Sequence, residues 1–426
     1  MKVVHINKGD AGGGASVAAL RIHRSLLRAG VDSHILVQEQ RRNEENEHVV
    51  GTGFIYKMKC LWRFLWERIS FLPNEKEKAL RFAFSPANTG LSIASLPVIQ
   101  EADIIHLHWI NQGYLSIASL EELFSLGKPI VWTLHDMWPF TGGCHYAGNC
   151  LEFNEKCGFC PLLKNPSIND ISAKIYQKKK KLFSKANLNI VTCSRWLGSL
   201  AKSSSLFRNS PIYSIPNPID TKFYTILDRA KCREELGLPQ NKSLLLFGAA
   251  NILDTRKGFR YLYEALTILS DSFPSISSKI ELVVFGKSKE SVEHQFPFKT
   301  HSMQFVSDPA TLVKLYNACN LFILPSLQDN LPNTVVECLC CGTPVAGFRI
   351  GGVPEMIDHN ISGYLAEIKN SLSLANGINT VLFTENKNKR EDIRESAIKK
   401  FDERLIAEKY IEVYESAMKN GTKKIR

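Results

Sequence analysis

The sequence predicts an α/β protein with two domains, each a doubly wound parallel sheet. Three observations predict this fold class. The chain has 426 residues, which is more than one hydrophobic core usually organises. Short β-branched segments alternate with amphipathic stretches, as in parallel strands joined by crossover helices. The segment YSIPNPID (213–220) then divides these strands into two series, because its prolines cannot donate to a sheet.

The two series of strands define the predicted domains. The amino-terminal domain, 1–212, has strands predicted at KVVHI (2–6), SHILV (33–37), DIIHLH (103–108), PIVWTLH (129–135) and LNIVTCS (188–194). The second domain, 213–400, has strands predicted at SLLLFGAA (243–250), KIELVVFG (279–286), NLFILPS (320–326) and TPVAGF (343–348). A final helix and a basic tail are predicted over 401–426. Ligands of doubly wound sheets bind at the carboxyl ends of the strands, so the residues that follow the strands are the candidates for a site.

Composition narrows the class of protein. The chain is 44% hydrophobic and 22% charged, which is ordinary for a globular protein. No run approaches the roughly 18 to 20 apolar residues that span a bilayer, and the amino terminus lacks a signal-peptide pattern. We therefore expect a cytoplasmic protein, or one peripheral to the cytoplasmic face of the inner membrane. A net charge of +11 suits nucleic acid, anionic lipid or a phosphorylated substrate without choosing among them.

A glycine loop follows the first strand. Gly12, Gly13 and Gly14 open a helix, and backbone N–H groups without side chains in the way can approach an anion at a helix start. The alternative is simply a tight strand-to-helix turn. The spacing matches neither the dinucleotide nor the Walker pattern.

His135 and Asp136 come directly after a predicted strand, in WTLHDMWPFTGG. A histidine at the carboxyl end of a strand is expected to point into the cleft that the two domains face. The alternative is a structural histidine that only makes hydrogen bonds.

Arg256 and Lys257 follow the first strand of the second domain and precede Gly258, where a helix begins. A cation at this position can reach a diphosphate, and the helix start adds its dipole. The alternative is a solvated pair of surface charges.

An acidic loop follows the strand NLFILPS. Asp329 and Glu337 are eight residues apart in SLQDNLPNTVVE. Polar side chains lie between them at Asn330, Asn333 and Thr334. Carboxylates accept hydrogen bonds from sugar hydroxyls, and helix-start amides bind phosphate oxygens. The loop is therefore suited to a nucleotide sugar.

These motifs together resemble a known family. An acidic residue, seven others and a Glu, followed by CGTPVAGFRIGGVPEMI, is similar to the donor-binding signature of the retaining glycosyltransferases of family 4, which have the two-domain GT-B fold. The resemblance extends to the glycine loop, HDMWP, SIPNPID, RKG and the final FDERLIAEKYIEVYE (401–415). In that family the last helix crosses back onto the first domain.

The resemblance implies a function. It implies a retaining, metal-independent transferase that needs no cofactor for catalysis and takes a UDP- or GDP-sugar as donor. The implied acceptor is a glycan or a lipid-linked oligosaccharide at the inner membrane surface, in bacterial exopolysaccharide, O-antigen or capsule synthesis, with no nucleic acid partner. Front-face attack is expected, with the leaving phosphate taking the acceptor's proton.

The resemblance also implies residue roles. It assigns Glu337 to the donor ribose, Asp329 to hydroxyls of the transferred sugar, Lys257 to the diphosphate, Gly14 or its neighbour Gly13 to the distal phosphate, and His135 to the donor sugar beside the anomeric centre. Two positions depart from the family pattern. Asp329 is one methylene shorter than the usual Glu, and Asn251 stands where the family has an arginine for the diphosphate. Arg256 is the candidate to replace that arginine.

Four cysteines lie within the loop 141–163. They are Cys144, Cys150, Cys157 and Cys160. Four thiolates ending in C-x2-C can form a structural zinc site. Free thiols, an iron–sulfur cluster and disulfides remain alternatives, although a chain with eleven cysteines and no export signal is expected to keep its thiols reduced.

A basic aromatic stretch covers 56–84. It combines the aromatic residues Trp62, Phe64, Trp66 and Phe71 with the basic residues Lys57, Lys59, Arg63 and Arg68. Such a helix suits the membrane interface, where lipid-linked acceptors carry their phosphates. The alternative is a helix that packs its aromatic residues onto its own domain.

Two other functions fit parts of this pattern. A non-hydrolysing sugar-nucleotide epimerase has the same architecture and needs no separate acceptor. A basic RNA-binding protein with a zinc knuckle would use the positive surface and the cysteines.

Overall fold

The computed structural model describes residues 1–251, 254–287, 296–383 and 389–423. The chain forms two compact units. The first unit comprises Met1–Pro218 and the chain from Arg404 onward, and the second comprises Ile219–Glu403.

The first unit is a seven-stranded parallel sheet covered by helices. Its strands are β1 (Lys2–Gly9), β2 (Asp32–Glu39), β3 (Glu47–Val49), β4 (Ile104–Leu107), β5 (Ile130–Leu134), β6 (Leu188–Thr192) and β7 (Ile212–Ser214). Its helices are α1 (Gly14–Arg28), α2 (Gly53–Phe71), α3 (Pro97–Gln100), α4 (Ile117–Phe124), α5 (Ile171–Phe183) and α6 (Arg195–Ser203). The strand order is β3-β2-β1-β4-β5-β6-β7.

How clearly the sequence predicts each of these strands depends on how deeply the strand is buried. Strands β4, β5 and β6 are buried along their whole length, as expected when helices cover both faces of a parallel sheet. The short edge strands β3 and β7 have three residues each and are half-exposed for the most part, so neither produces an apolar run. Because β7 pairs with β6, the first unit continues through Pro218 rather than ending at 212.

The second unit is a six-stranded parallel sheet, and the prediction of two α/β sheets is confirmed. Its strands are β8 (Ser243–Asn251), β9 (Ile280–Lys287), β10 (Thr300–Ser302), β11 (Leu321–Leu324), β12 (Val345–Phe348) and β13 (Gly363–Ala366). Its helices are α7 (Arg229–Glu235), α8 (Phe259–Ser272), α9 (Pro274–Ser277), α10 (Pro309–Ala318), α11 (Asn333–Cys340), α12 (Val353–Met356), α13 (Ser371–Phe383) and α14 (Arg390–Phe401). The order is β10-β9-β8-β11-β12-β13.

The last helix, α15 (Glu403–Lys423), returns to the first unit, as predicted. Its residues Ile406, Tyr410 and Tyr414 are buried in one apolar cluster with residues of β1 and β4. The Tyr414 hydroxyl also lies 2.7 Å from Nδ1 of His106. Apolar burial and a buried hydrogen bond therefore both hold this helix on the amino-terminal sheet.

Within the described ranges, none of the helices combines the length and the hydropathy needed to span a bilayer.

Candidate functional site

In the second unit the predicted donor residues lie at the carboxyl ends of two neighbouring strands. The buried strand β11 ends at Leu324, and the loop that follows it carries Asp329 before α11 begins at Asn333. Strand β8, which pairs with β11, leads into a short 3-10 turn, Thr255–Lys257. The parallel register thus brings the two segments to one edge of the sheet.

Lys257 and Asp329 meet directly at this edge. The Lys257 ammonium donates to Oδ2 of Asp329 over 2.8 Å, and the two side chains are 31% and 16% exposed. A half-buried ion pair of this kind leaves part of both groups accessible to a ligand. The structure therefore brings together the two residues predicted for the diphosphate and for the transferred sugar.

Close backbone packing fixes the Lys257 turn. Gly258 has a left-handed φ of 69°, and a Cβ there would lie 1.8 Å from the carbonyl oxygen of Pro325. The Leu327 N–H donates to the Arg256 carbonyl over 2.7 Å. Only glycine at position 258 leaves room for the Pro325 carbonyl, so the sequence Arg-Lys-Gly positions the lysine against the acidic loop.

Glu337 lies behind the loop and is almost completely buried. It is 5% exposed and sits on α11, where its Oε2 accepts a hydrogen bond from the Tyr316 hydroxyl of α10 over 2.6 Å. Burial and the Glu337 charge raise the pKa of Tyr316 well above its usual value, so the phenol remains the donor. Tyr316 was not predicted, because nothing in the sequence marks a tyrosine on another helix as a partner of this glutamate.

The remaining polar residues of the loop have different environments. Asn330 is buried, and its carbonyl accepts the Gly352 N–H over 2.9 Å, which ties the loop to the glycine pair. Asn333 and Thr334 are half-buried in the first turn of α11.

Arg256 is held by a neighbouring carboxylate. Its guanidinium contacts Asp254 at 2.6 Å, and this contact lowers the pKa of Asp254 although burial opposes the shift. Arg256 is thus engaged in an ion pair, while its replacement of the missing arginine stays a prediction. The backbone of Asn251 ends β8, but its side chain lies outside the described residues.

In the first unit, the partly buried His135 follows β5 and contacts a row of buried histidines. Its Nε2 lies 3.2 Å from Nδ1 of His108, whose Nε2 lies 2.9 Å from Nδ1 of His5. Its Nδ1 lies 3.6 Å from Sγ of Cys193. Burial lowers the pKa of His135 to about 4, and the nearby charge of Asp136 only partly opposes this. Both ring nitrogens of His135 have protein partners, so His135 must give up one of these hydrogen bonds before it can contact a sugar.

The end of the histidine row indicates the direction of its hydrogen bonds. Among the described atoms, Nε2 of His5 has no hydrogen-bond partner, and a buried N–H without an acceptor is rarer than an unused acceptor. We therefore assign the proton of His5 to Nδ1, so each imidazole donates from Nδ1 to the next. The sequence signal for this row is a set of histidines inside or at the ends of apolar strands.

Asp136 accepts three hydrogen bonds beside His135. Its donors are the Trp138 N–H at 2.8 Å, the indole N–H of Trp109 at 3.0 Å and Nδ1 of His145 at 2.7 Å. These bonds and the His145 charge lower the pKa of Asp136 although burial opposes them. Asp136 therefore has a structural role, which joins β5 to the cysteine loop.

The glycine loop of the first unit precedes α1. Gly12 has a φ of 96°, and Gly13 is extended with open space where a Cβ would be. Asp10 fixes the base of this loop by accepting the backbone N–H groups of Arg41 and Arg42. The roles predicted for Gly13, Gly14 and His135 stay predictions.

The sequence matches two protein-family profiles. "Glycosyltransferase Family 4" matches residues 12–223, and "Glycosyl transferases group 1" matches residues 228–400. The chain belongs to glycosyltransferase family 4.

Relatives of this glycosyltransferase include WcaC of Escherichia coli (strain K12), named as a colanic acid biosynthesis glycosyl transferase. It is 25% identical over 369 residues, which cover 84% of this chain and 85% of WcaC. An N,N'-diacetylbacillosaminyl-diphospho-undecaprenol alpha-1,3-N-acetylgalactosaminyltransferase of Campylobacter jejuni is 26% identical over 170 residues, 38% of this chain and 43% of that protein. This second match spans less than half of either protein.

Solved structures agree with the fold of the glycosyltransferase. HepE of Anabaena, in complex with UDP and glucose, aligns with a TM-score of 0.64 at 16% identity, covering 98% of this chain and 100% of HepE. A glycosyltransferase of Rickettsia africae aligns with a TM-score of 0.65 at 15% identity, covering 98% and 99% of the two chains. The predicted GT-B fold is confirmed.

Proposed function

We propose that this glycosyltransferase transfers a sugar, with retention of configuration and without a divalent metal, from a UDP- or GDP-sugar to a glycan acceptor on a lipid carrier. The product is part of a bacterial surface polysaccharide. The ion pair between Lys257 and Asp329, on the loop that leads into the helix of the buried Glu337, is the observation that carries this proposal.

The chemistry of the pair supports donor binding. Without donor, Asp329 neutralises Lys257 at 2.8 Å. A diphosphate offers the ammonium a stronger anionic partner, and the released carboxylate can accept a hydrogen bond from a sugar hydroxyl. In the transfer the bond from the anomeric carbon to the phosphate oxygen breaks, and a bond to the acceptor oxygen forms. The acceptor's proton passes to the leaving phosphate.

Lys257 favours this step electrostatically. Negative charge grows on the departing diphosphate, and a lysine fixed beside it stabilises that charge more in the transition state than in the ground state. A charge-assisted hydrogen bond contributes roughly 1.5 to 3 kcal/mol. This contribution takes the place of a divalent metal in the proposal.

The relatives support the choice of donor and acceptor classes. HepE has been solved in complex with UDP-glucose, and the Campylobacter relative is named for a diphospho-undecaprenol acceptor. By analogy we propose a nucleoside diphosphate sugar and an acceptor on a polyprenyl diphosphate or similar lipid.

A binding and transfer assay tests the donor. The purified chain is screened by thermal shift against UDP-, GDP- and ADP-sugars, because a ligand at 100 times its Kd stabilises by about 2.7 kcal/mol. The donor found is then incubated with and without a lipid-linked acceptor in the presence of EDTA, and the anomeric configuration of the product is read by NMR. Turnover of the donor sugar without acceptor would instead indicate an epimerase. Salt-dependent RNA retention without donor binding would contradict both enzymes.

Glu337→Gln tests the site itself. Removal of the charge is expected to reduce nucleotide affinity about tenfold or more, since one lost charged hydrogen bond of about 1.4 kcal/mol has that effect. Glu264→Gln is the control, because the Glu264 side chain is 38% exposed in the same unit and its partners among the described residues are Arg260 and Ser371. If both variants bind the donor like the unmodified chain, the site assignment is wrong.

We propose further that α2 docks on the membrane that carries the acceptor. Large apolar side chains are exposed along this helix: Phe54, Ile55, Leu61, Trp62, Leu65, Trp66 and Ile69. At 3.6 residues per turn these positions occupy a sector of about 140°. Lys57 and Lys59 lie at its two margins, and a tryptophan-rich stripe bordered by lysines suits an anionic lipid surface.

Vesicle sedimentation tests this docking. The chain is expected to bind phosphatidylglycerol vesicles more strongly than phosphatidylcholine vesicles, and Trp62→Gln with Trp66→Gln is expected to abolish binding while donor affinity stays unchanged. Leu372→Gln, at an exposed apolar residue of the second unit, is the control. Binding that does not depend on the tryptophans, or self-association of the chain through the stripe seen by light scattering, would contradict membrane docking.

A further inference from the structure

The four cysteines of the loop after β5 line a single cavity. Cys144, Cys150, Cys157 and Cys160 all contribute to its wall, and all four are free thiols. The rest of the lining is mostly apolar or small, although Glu152 and Ser172 also contribute to it. Residues that are spread over 17 positions of the sequence thus converge on one point.

The volume of the cavity limits what it can hold. It measures about 20 Å³, and a cavity of roughly 10 to 15 Å³ already accommodates one water molecule. A single metal ion fits in this space. Within the described chain no three of the four Sγ atoms lie within 4.8 Å of one another, so side-chain rotation toward the centre is needed for Zn–S bonds of about 2.3 Å.

One backbone N–H group of the loop points at a sulfur atom of the cavity. The Gly142 N–H donates to Sγ of Cys157 over 3.1 Å. Any side chain at Gly142 would place its Cβ 2.8 Å from Cβ of Cys157. Backbone N–H groups that point at ligand sulfurs orient them and offset their negative charge.

A buried lysine provides the second, independent observation. Lys179 on α5 is completely buried, and its ammonium lies 3.4 Å from the ring centre of Trp138 and donates to the carbonyl of Thr141 over 3.0 Å. In the described part of the chain no carboxylate lies within 4.0 Å of it. The ammonium also donates to the carbonyl of Trp138.

Charge balance connects the lysine with the cysteines. A buried cation without an anionic partner is costly, and four neutral thiols do not supply one. Four thiolates on a divalent ion carry a net charge of −2, which a nearby ammonium partly neutralises. Four cysteines that hold a divalent cation as thiolates therefore complement the buried ammonium.

We propose that Cys144, Cys150, Cys157 and Cys160 bind one structural Zn²⁺ ion in a tetrahedral site. The loop between β5 and α5 has only short 3-10 turns, Trp138–Phe140 and Glu152–Asn154, so its own hydrogen bonds supply little stability. The metal fixes it. The proposal of this metal site does not rest on the proposed transfer reaction.

The loop also holds the segment that follows α2. The Ser85 N–H donates to the Gly143 carbonyl over 2.8 Å, and the Lys164 N–H donates to the Asn74 carbonyl over 2.9 Å. Phe84 forms a bridge with Cys144. Zinc therefore anchors the end of the proposed membrane helix as well as the loop.

Metal analysis of the full-length chain tests the site. The protein, purified under reducing conditions without chelator, is expected to contain one zinc per chain by mass spectrometry of the metal, and Co²⁺ in its place is expected to give thiolate charge-transfer bands and tetrahedral d–d bands. Cys157→Ser with Cys160→Ser is expected to lose the zinc. Cys319→Ser, at a buried cysteine of the second unit, is expected to keep it.

A measurement on the unmodified chain covers the case in which the double variant fails to fold. An organomercurial titrated into the native protein is expected to release one zinc as four thiols react. Four thiols that react with no zinc released would identify free cysteines. A mass lower by two hydrogens per bridge would identify disulfides, and bound iron with sulfide would identify a cluster. Each of these three results would overturn the proposal.

Discussion

Tyr316→Phe is the sharpest test of how the donor site is held. The substitution removes one hydroxyl and leaves the ring, so hardly any cavity forms. In the structure that hydroxyl donates to Oε2 of Glu337 over 2.6 Å, with Tyr316 completely buried and Glu337 5% exposed. The variant leaves a buried carboxylate short of one donor that water cannot readily replace.

The magnitude follows from the charge on the acceptor. Loss of a hydrogen bond to a buried charged group costs about 1.5 to 3 kcal/mol. For a unit of 150 to 250 residues each kcal/mol corresponds to a shift in Tm of about 2 to 4 °C, so we expect the second unit to melt about 3 to 12 °C lower. Nucleotide affinity should also fall, because Glu337 loses the contact that orients it.

The assay must distinguish the two units. All six tryptophans of the chain lie in the first unit, so tryptophan fluorescence reports that unit and leaves the second without a signal. Scanning calorimetry measures both units, and isothermal titration measures UDP and GDP binding. Tyr263→Phe is the control, because Tyr263 is 44% exposed. A Tyr316→Phe variant that melts within about 1 °C of the unmodified chain would show that this hydroxyl does not stabilise the site.

Three further outcomes are expected. Asp329→Asn should change the free energy of unfolding by less than about 1 kcal/mol, because its ion pair with Lys257 is partly exposed. Turnover assays should show slower sugar transfer, while titration should show that UDP or GDP binds at least as tightly to the freed Lys257. Gly258→Ala should lower the Tm well beyond Gly237→Ala, since both glycines have a left-handed φ but only the first has a backbone carbonyl 1.8 Å from the new Cβ; equal shifts would contradict this. Stability should also fall with acid, because the pKa of His135 is about 4 in the folded state and about 6.5 in the unfolded state. The contribution of His135 is therefore complete above pH 6.5 and decreases by the order of 3 kcal/mol as the pH falls to 4. Urea unfolding at several pH values measures this decrease.

The buried central strands could be predicted from the sequence, whereas the short edge strands could not. The central strands are continuous apolar runs because helices cover both faces, and their sequences therefore showed them. The three-residue strands β3, β7 and β10 gave no such signal. Their positions are determined by pairing with a neighbour already in the sheet, which is information that a local segment does not contain.

The candidate site was predictable where residues follow strands in sequence. Lys257, Asp329 and Glu337 each follow a strand of the same sheet, so the general rule for parallel sheets located them. Tyr316 and the row of His5 and His108 could not be located, because their partners come from separate elements. For Arg256 the sequence suggested a diphosphate as the partner. In the structure its guanidinium pairs with the carboxylate of Asp254, two residues earlier in the chain.

The cysteine loop and the strand end at His135 are mechanically connected. Asp136 accepts from Nδ1 of His145, the residue after Cys144, and the His145 carbonyl in turn accepts the backbone N–H of Met137 over 2.9 Å. A metal that fixes Cys144 therefore also fixes the backbone that carries His135. If both proposals hold, removal of zinc should reduce sugar transfer while UDP or GDP affinity stays nearly unchanged, because Lys257 and Glu337, the main residues proposed for the nucleotide, belong to the other unit. Equal loss of binding and of transfer would show that the metal supports the whole chain rather than the His135 strand end.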